Sequence, residues 1–160
     1  MTTVFKINKG EVGFSLTDPG VSVEDAVLSD YDDFSCQITS GALIAEAQTS
    51  DEEVPGTFCN PAQTTTTPSG TTFTLEATAL QDPNDPAGLA KFLYDNDSGQ
   101  TGQAVYFLLG LAEGAAPKAI GQCYISPQDF GGAARSVLTA DLSFVVEGRP
   151  DIEFGVDPDV

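Results

Sequence analysis

Apolar and polar residues alternate along two stretches of this sequence. In the first, residues 72–79, the apolar positions are Phe73, Leu75, Ala77 and Ala79. In the second, Arg135 to Glu147, the apolar positions are Leu138, Ala140, Leu142, Phe144 and Val146. Because successive side chains of a strand point to opposite sides, each stretch predicts a strand with one buried face and one hydrated face.

Helical spacing of apolar residues follows the first of these strands. Asp85 is a favourable N-cap, and Pro86 suits the first helical position, where its missing N–H costs nothing. The apolar residues that follow are Leu89, Ala90, Leu93 and Tyr94, with Phe92 beside them. Residues 95–99 end the predicted helix. Residues 105–109 are too short and too rich in β-prone side chains to predict anything but a strand.

Weaker patterns predict shorter strands at residues 4–7, 34–39, 42–47 and 119–125. In residues 34–39 the side chains expected to point inward are Phe34, Cys36 and Ile38. Residues 24–33 are acidic and weakly patterned, so we expect them to be exposed. Six to eight strands with one helix predict a mainly β fold, an antiparallel β-sandwich or split barrel with one flanking α-helix, forming a single domain over residues 1–160.

Residues 48–70 have a different character. They contain Pro55-Gly56, four consecutive threonines at 64–67 and Pro68-Ser69-Gly70. This composition predicts a long polar loop, and loops of such length inside compact domains are usually functional or disordered. Phe58 and Cys59 are the strongly apolar residues near its middle, and we interpret them as its anchor.

Composition and charge exclude several classes of function. The chain has 24 acidic and 6 basic residues, a net charge of −18, and no histidine. Such a surface repels phosphates, which argues against a DNA-binding protein. Without histidine the commonest general base and metal ligand are missing. The Asp-rich runs beginning at Asp82 and Asp95 fail as calcium loops at their glycine and final positions. We therefore expect no enzyme activity, no cofactor and no metal.

Cysteine usage and the first residues indicate a protein made in a reducing compartment. Three scattered cysteines without a secretory signal favour free thiols, although a Cys36–Cys59 bridge remains an alternative. No apolar segment approaches the length needed to span a membrane, so no membrane insertion is expected.

Several short motifs, taken in order, resemble one viral family. They are Cys36–Ser40, Pro55–Cys59, Thr74–Glu76, Leu80–Pro83, Gly88–Leu93, Tyr106–Phe107 and Phe130–Gly132. In this order they are similar to the major tail proteins of long-tailed, non-contractile (siphovirus-type) actinobacterial phages, and the resemblance spans residues 30–155.

The resemblance implies a structural protein of the virion tail, made and assembled in the host cytoplasm. Its fold would be that of the tail tube and of the type VI secretion tube protein. Copies would form hexameric rings that stack into a hollow tube, and DNA would pass through without specific binding. The implied partners are further copies, the tape measure protein, and the tail terminator and baseplate proteins. Residues 48–70 become an inter-ring loop, and no appended immunoglobulin-like domain is expected.

Two groups of candidate site residues follow from this resemblance. The lumen-facing candidates are Glu76, Thr74, Thr78, Asp141, Ser143, Thr139 and Glu147. The inter-ring loop candidates are Asp51, Glu52, Glu53, Phe58, Thr64 and Thr65. Two other classes remain open. One is a capsid decoration or other non-enzymatic virion protein, and the other is a ligand-binding β-sandwich, which the absence of tryptophan weakens.

Overall fold

The computed structural model describes residue 7 and residues 9–112 and 114–155. Two short α-helices lie between the fourth and fifth strands: α1 (Leu89–Asp95) and α2 (Ser98–Thr101). The strands of this part of the chain are β1 (Glu11–Ser15), β2 (Asp32–Asp33), β3 (Ile38–Val54), β4 (Gln63–Leu80), β5 (Val105–Ala112), β6 (Ala115–Tyr124) and β7 (Thr139–Glu153).

All strand pairs are antiparallel, and the strands form one sheet in the order β2-β1-β5-β6-β7-β4-β3. The sheet rolls so that its two ends face each other. A Cβ atom on Gly41 of β3 would lie 3.2 Å from Leu109 of β5 and 3.8 Å from Val12 of β1. Gly41 therefore permits a close approach across the interior, and the predicted mainly antiparallel β fold is confirmed.

The inner face of the rolled sheet holds the core. As the alternation predicts, Phe73, Leu75 and Ala79 of β4 and the even-numbered residues 140–146 of β7 are buried. Phe14 of β1 has its ring centroid 6.1 Å from that of Phe144, in an edge-to-face arrangement. Burying side chains of this size is the main source of stability in such a domain.

Helix α1 closes this core. Leu89 and Leu93 are fully buried, and the ring centroid of Phe92 lies 5.0 Å from that of Phe34. The backbone N–H of Leu89 donates to Gln37 Oε1 at 2.6 Å, which satisfies one free donor of the helix start. Tyr94 shares the helical spacing of Leu89 and Leu93 but not their burial, because its side chain is 73% exposed.

The predicted start of the helix is also wrong. Asp85 and Pro86 precede the helix, and Gly88 occupies the N-cap position. Asp85 Oδ1 instead accepts the N–H of Ala87 at 2.9 Å, and the Asp85 carbonyl accepts the N–H of Gly88 at 3.1 Å. These bonds form a turn, which is the alternative to capping that an aspartate side chain offers. The residues expected to end the helix contain the start of α2, where Asp97 Oδ1 accepts the N–H of Gly99 at 2.9 Å.

Three other expectations need correction. Residues 35–37 form a 3₁₀ turn, not a strand, and Cys36 is exposed, because Ser35 bonds to Asp33 and to the backbone of Val12. Residues 24–33 are not uniformly exposed, since Ala26 and Tyr31 are buried. The last strand begins at residue 139 and continues to residue 153. Residues 4–6 of the first predicted strand lie outside the described residues.

Candidate functional site

Cross-strand pairing brings most of the predicted lumen-facing residues together on the outer face of the sheet. Thr78 of β4 lies opposite Asp141 of β7, and Glu76 lies opposite Ser143. Thr78 Oγ1 donates to Asp141 Oδ1 at 3.1 Å. The pairing continues to β3, where Ser40 is opposite Thr78 and Ala42 is opposite Glu76. We call these two rows, Ser40–Thr78–Asp141 and Ala42–Glu76–Ser143, the acidic rows.

The other three candidates lie on the same face but outside the acidic rows. Thr139 pairs with Leu80 at one end, and Thr74 pairs with Val145 at the other. Glu147 lies beyond Val145 and pairs with Gln122 of β6. The structure therefore gathers Glu76, Thr78, Asp141 and Ser143 in one patch and places Glu147 apart from it.

The acidic rows are largely exposed and carry no basic side chain. Glu76 and Asp141 are exposed, and both line a shallow groove with the hydroxyl groups of Ser40, Thr78 and Ser143. A carboxylate in the middle of a sheet is too costly to bury without a partner, so this surface favours water over a packed neighbour. It presents negative charge and hydrogen-bond acceptors, and it has no cation to hold a phosphate.

An apolar row borders the acidic rows, and sequence reasoning did not identify it. Ile44 pairs with Thr74, Thr74 with Val145, and Val145 with Tyr124, so these residues cross four adjacent strands on one face. Ile44 is 43% exposed and Val145 is 61% exposed. Exposed apolar side chains close together on one face favour contact with another surface. The sequence signal for the apolar row is Val145, because this residue is apolar at a position predicted to face water.

The predicted loop at residues 48–70 is wrong, because most of this segment is strand. The outer parts of β3 and β4 form a hairpin in which Asp51 pairs with Thr66, Glu52 with Thr65 and Glu53 with Thr64. Threonine is β-branched and favours strands, and this preference outweighs the turn signals nearby. We call residues 49–69 the arm and residues 55–62 its tip.

The arm projects away from the rest of the molecule. Every residue from Thr49 to Thr72 is exposed. The ladder shifts register between Gln48 and Thr49, opposite Gly70, whose φ is 137°. A bulge bends the strand that contains it and increases the local twist, and this one marks the base of the arm. Thr66 Oγ1 donates to Asp51 Oδ1 at 2.6 Å across the arm, so the acidic strand is held to the threonine strand by side chains as well as backbone.

The tip does not anchor the arm to its own chain. Phe58 is fully exposed, at 112% of its reference accessibility, and Val54 is 51% exposed. A local turn shapes the tip, in which the N–H of Thr57 donates to the Asn60 carbonyl at 2.7 Å and the N–H of Asn60 donates to Thr57 Oγ1 at 3.1 Å. The expected anchoring by Phe58 and Cys59 is therefore wrong within this chain.

All three cysteines are free thiols, and the Cys36–Cys59 bridge does not form. Cys36 and Cys59 are exposed, whereas Cys123 is buried in the core. Burial raises the pKa of the Cys123 thiol to about 12, because the interior disfavours the thiolate. This cysteine is a core residue and not a nucleophile.

Within the described residues, no helix combines the length and hydropathy required to cross a membrane. Across these same residues, no three or more histidine, cysteine, aspartate or glutamate side chains are grouped so as to hold a metal ion.

Comparison with known proteins gives the fold. No protein-family profile matches the chain, and no curated protein matches its sequence. Two of the solved structures that are similar in fold come from gene transfer agent particles. One is a chain from the virion of a native gene transfer agent particle, with a TM-score of 0.56, 10% identity, and coverage of 94% of this chain and 99% of that chain. The other is a chain from the tail of an empty gene transfer agent particle with C6 symmetry, with a TM-score of 0.52, 11% identity, and coverage of 89% and 95%.

Proposed function

We propose that this chain is the subunit of a tail tube. Identical copies join into rings of six, and the rings stack into a hollow cylinder that conducts a genome out of the particle. The fold similarity supports this proposal, because it covers nearly the whole length of chains from a gene transfer agent virion and from a tail with C6 symmetry. The role is structural and requires no cofactor.

The observation that carries the proposal is the pair of acidic rows. Glu76 and Asp141 stand on the outer face of the sheet among hydroxyl groups, without a basic side chain in the rows. In a hollow tube, a face that must stay hydrated can line the bore. There the carboxylates repel DNA phosphates, so the genome passes without the counterion-releasing contacts that would retain it. Thr139 extends this inner surface in the proposed tube, whereas Thr74 lies within the apolar row that borders it and Glu147 lies beyond that row.

The apolar row and the arm supply contacts between copies. β3 is the end strand of the sheet, with 17 residues, and long unpaired edges promote association. The apolar row, which contains Ile44 and Val145, contacts a neighbouring copy at the edge of the surface that lines the bore. The arm, with its acidic side chains and Phe58, lies on an adjacent ring. The tape measure protein and the terminator and baseplate proteins contact the finished tube at its bore and ends.

Electron microscopy of the purified protein tests this function. We expect negative-stain images of concentrated protein, with or without a tail initiator complex, to show rings and stacked tubes. The matched variant replaces residues 49–69 by Asn-Gly, a sequence that closes two-residue hairpins, joining Gln48 to Gly70. Because the arm buries nothing in the core, this variant should keep its melting temperature and remain unassembled, and its circular dichroism spectrum should lose only the contribution of the deleted strand residues. A wild-type protein that stays monomeric under all these conditions would contradict the proposal.

A further inference from the structure

A turn just before β7 places an arginine in a backbone conformation that favours glycine. In residues 133–136, the backbone N–H and the hydroxyl of Ser136 both donate to the Ala133 carbonyl, at 3.4 and 2.7 Å. Arg135 lies inside this turn with a φ of 64°, and among the described residues no other non-glycine residue has a positive φ. The left-handed region is unfavourable for an L side chain, so a residue kept there is a candidate for a functional role.

Arg135 is also a positive charge without a partner in a strongly acidic chain. Its side chain is exposed, and within the described residues it forms no ion pair. Lys91 and Lys118 each form an ion pair with a carboxylate of their own chain, with N–O distances of 2.6 and 3.7 Å. The guanidinium of Arg149 lies 5.6 Å from the centre of the Phe73 ring. The guanidinium of Arg135 is thus available to an anionic group of another molecule.

Hydrogen bonds fix this turn at one end of the acidic rows. Gln81 directly follows β4, and its backbone N–H donates to the Leu138 carbonyl at 2.9 Å. Its side-chain nitrogen donates to the carbonyls of Gly131 and Thr139, at 3.1 and 2.8 Å. The segment that carries Arg135 is therefore held at the end of β4 and β7 that lies opposite to the arm.

Unpaired carboxylates lie at the other end of the same face. Glu46 of β3 and Glu147 of β7 each follow a member of the apolar row by two residues, so they lie on the outer face beyond that row. Both are exposed, and neither forms an ion pair with a described basic residue. Glu147 lies eight residues beyond Thr139, the first residue of β7, which corresponds to about 26 Å. Arg135 therefore cannot reach these carboxylates within its own chain.

We propose that Arg135 of one copy pairs with Glu46 and Glu147 of a second copy in the adjacent ring. This inference rests on the proposed function, because it names a contact between stacked rings. In these rings β4 and β7 run along the tube, so the Arg135 end of one ring meets the carboxylate end of the next. Two different surfaces at opposite ends of one subunit give a head-to-tail contact that repeats along a filament.

The chemistry of the three side chains favours this pairing. A guanidinium has five N–H donors in a planar fork, so it can bond to two carboxylates at once. Like charges brought together between rings repel each other unless a cation offsets them, and Arg135 supplies that cation. A phosphate of the passing DNA is the other anion that Arg135 could bind. Such a contact would retain the genome, whereas the pairing with carboxylates removes the free cation from its path.

Charge exchange tests the pairing. Arg135→Glu should raise the protein concentration required for tube formation by about tenfold or more, because it brings carboxylates together at every contact. Glu46→Arg with Glu147→Arg should have a similar effect, since cations then meet. A chain with all three substitutions should assemble within about threefold of the wild-type concentration, because opposite charges face each other again.

Two further variants serve as controls. Lys91→Glu makes the same change of charge on an exposed lysine that already has a partner in its own chain, and it should assemble as wild type does. Arg135→Gly separates the charge from the backbone. Because glycine adopts a positive φ without strain, this variant should melt no lower than wild type. Its lack of the guanidinium should still raise the concentration required for tube formation by about threefold or more.

The outcomes separate the pairing from the tube function. If wild-type tubes form but Arg135→Glu assembles at the same concentration, or the chain with all three substitutions assembles no better than Arg135→Glu, the pairing is wrong and the tube function stands. Wild-type tubes that protect DNA from nuclease, with the protection lost in Arg135→Gly, would assign Arg135 to DNA and overturn the pairing. If wild-type protein forms no ring or tube, the tube function and the pairing both fail.

Discussion

Reversing the charge of the acidic rows should change a bore surface that repels DNA into one that binds it. The perturbation is Glu76→Lys with Asp141→Lys. Both side chains are exposed, and the substitutions remove one hydrogen bond, from Thr78 Oγ1 to Asp141 Oδ1. An exposed bond of this kind contributes about 0.5–1 kcal/mol. The variant should therefore fold, with a melting temperature within about 4 °C of wild type, and should assemble.

The electrostatic change is large in comparison. Each chain goes from −18 to −14, because each of the two substitutions replaces −1 by +1. In a ring of six, this shifts the charge of the bore by about 24 and adds about 12 lysines. For a surface that pairs six to ten lysines with phosphates, the affinity falls by roughly 10³–10⁵ between 50 and 200 mM salt. DNA should thus be retained by variant tubes at about 50 mM salt and released at about 200 mM.

The assay mixes purified tubes with a short fluorescent DNA duplex, treats them with nuclease and measures the protected DNA. Wild-type tubes should protect none. The control is Glu24→Lys with Asp32→Lys, which has the same net charge but changes exposed residues outside the acidic rows. If the variant forms normal tubes that protect no DNA, the acidic rows do not line the bore. DNA that binds to the variant but is digested would place these rows on the outside of the tube.

Three further predictions concern assembly, the core and the thiols. Val145→Glu should leave the melting temperature nearly unchanged but prevent assembly in sedimentation experiments, because it places a charge in the apolar row. Phe144→Ala should lower the free energy of unfolding by about 3–5 kcal/mol in urea titrations, because this side chain is 1% exposed and packs against Phe14. A thiol reagent should modify Cys36 and Cys59 rapidly in the folded, unassembled protein and Cys123 only on unfolding, and equal rates would contradict the fold. Because folding raises the pKa of Cys123 from 9.0 to about 12, its stabilising contribution is complete below pH 9 and is lost as pH rises toward 12. Cys123→Ala should reduce this alkaline destabilisation.

The parts of the fold that the sequence predicted are those with a local, repeating burial pattern. Phe73 and Leu75 in β4 and Leu142 and Phe144 in β7 alternate with polar residues, because one face of each strand packs on the core. Leu89 and Leu93 recur at helical spacing for the same reason. Such patterns identify the element and its buried face without knowledge of its partners.

The arm and the apolar row could not be predicted in this way. Residues 49–69 bury nothing, so no apolar period marks them as strand, and their order comes from pairing with each other across the hairpin. The apolar row depends on register: Ile44 and Val145 are about 100 positions apart in the chain and share a row only through Thr74. The start of α1 depends likewise on a distant side chain, Gln37, which accepts the N–H of Leu89.

The most direct test of the tube function is a cryo-electron microscopy reconstruction of tubes formed by the purified wild-type protein. The tube function predicts stacked six-membered rings, with Glu76 and Asp141 on the wall of a central bore and the arm of each subunit lying on the adjacent ring. A reconstruction in which the acidic rows face the outer surface, or in which they are buried between subunits, would contradict it.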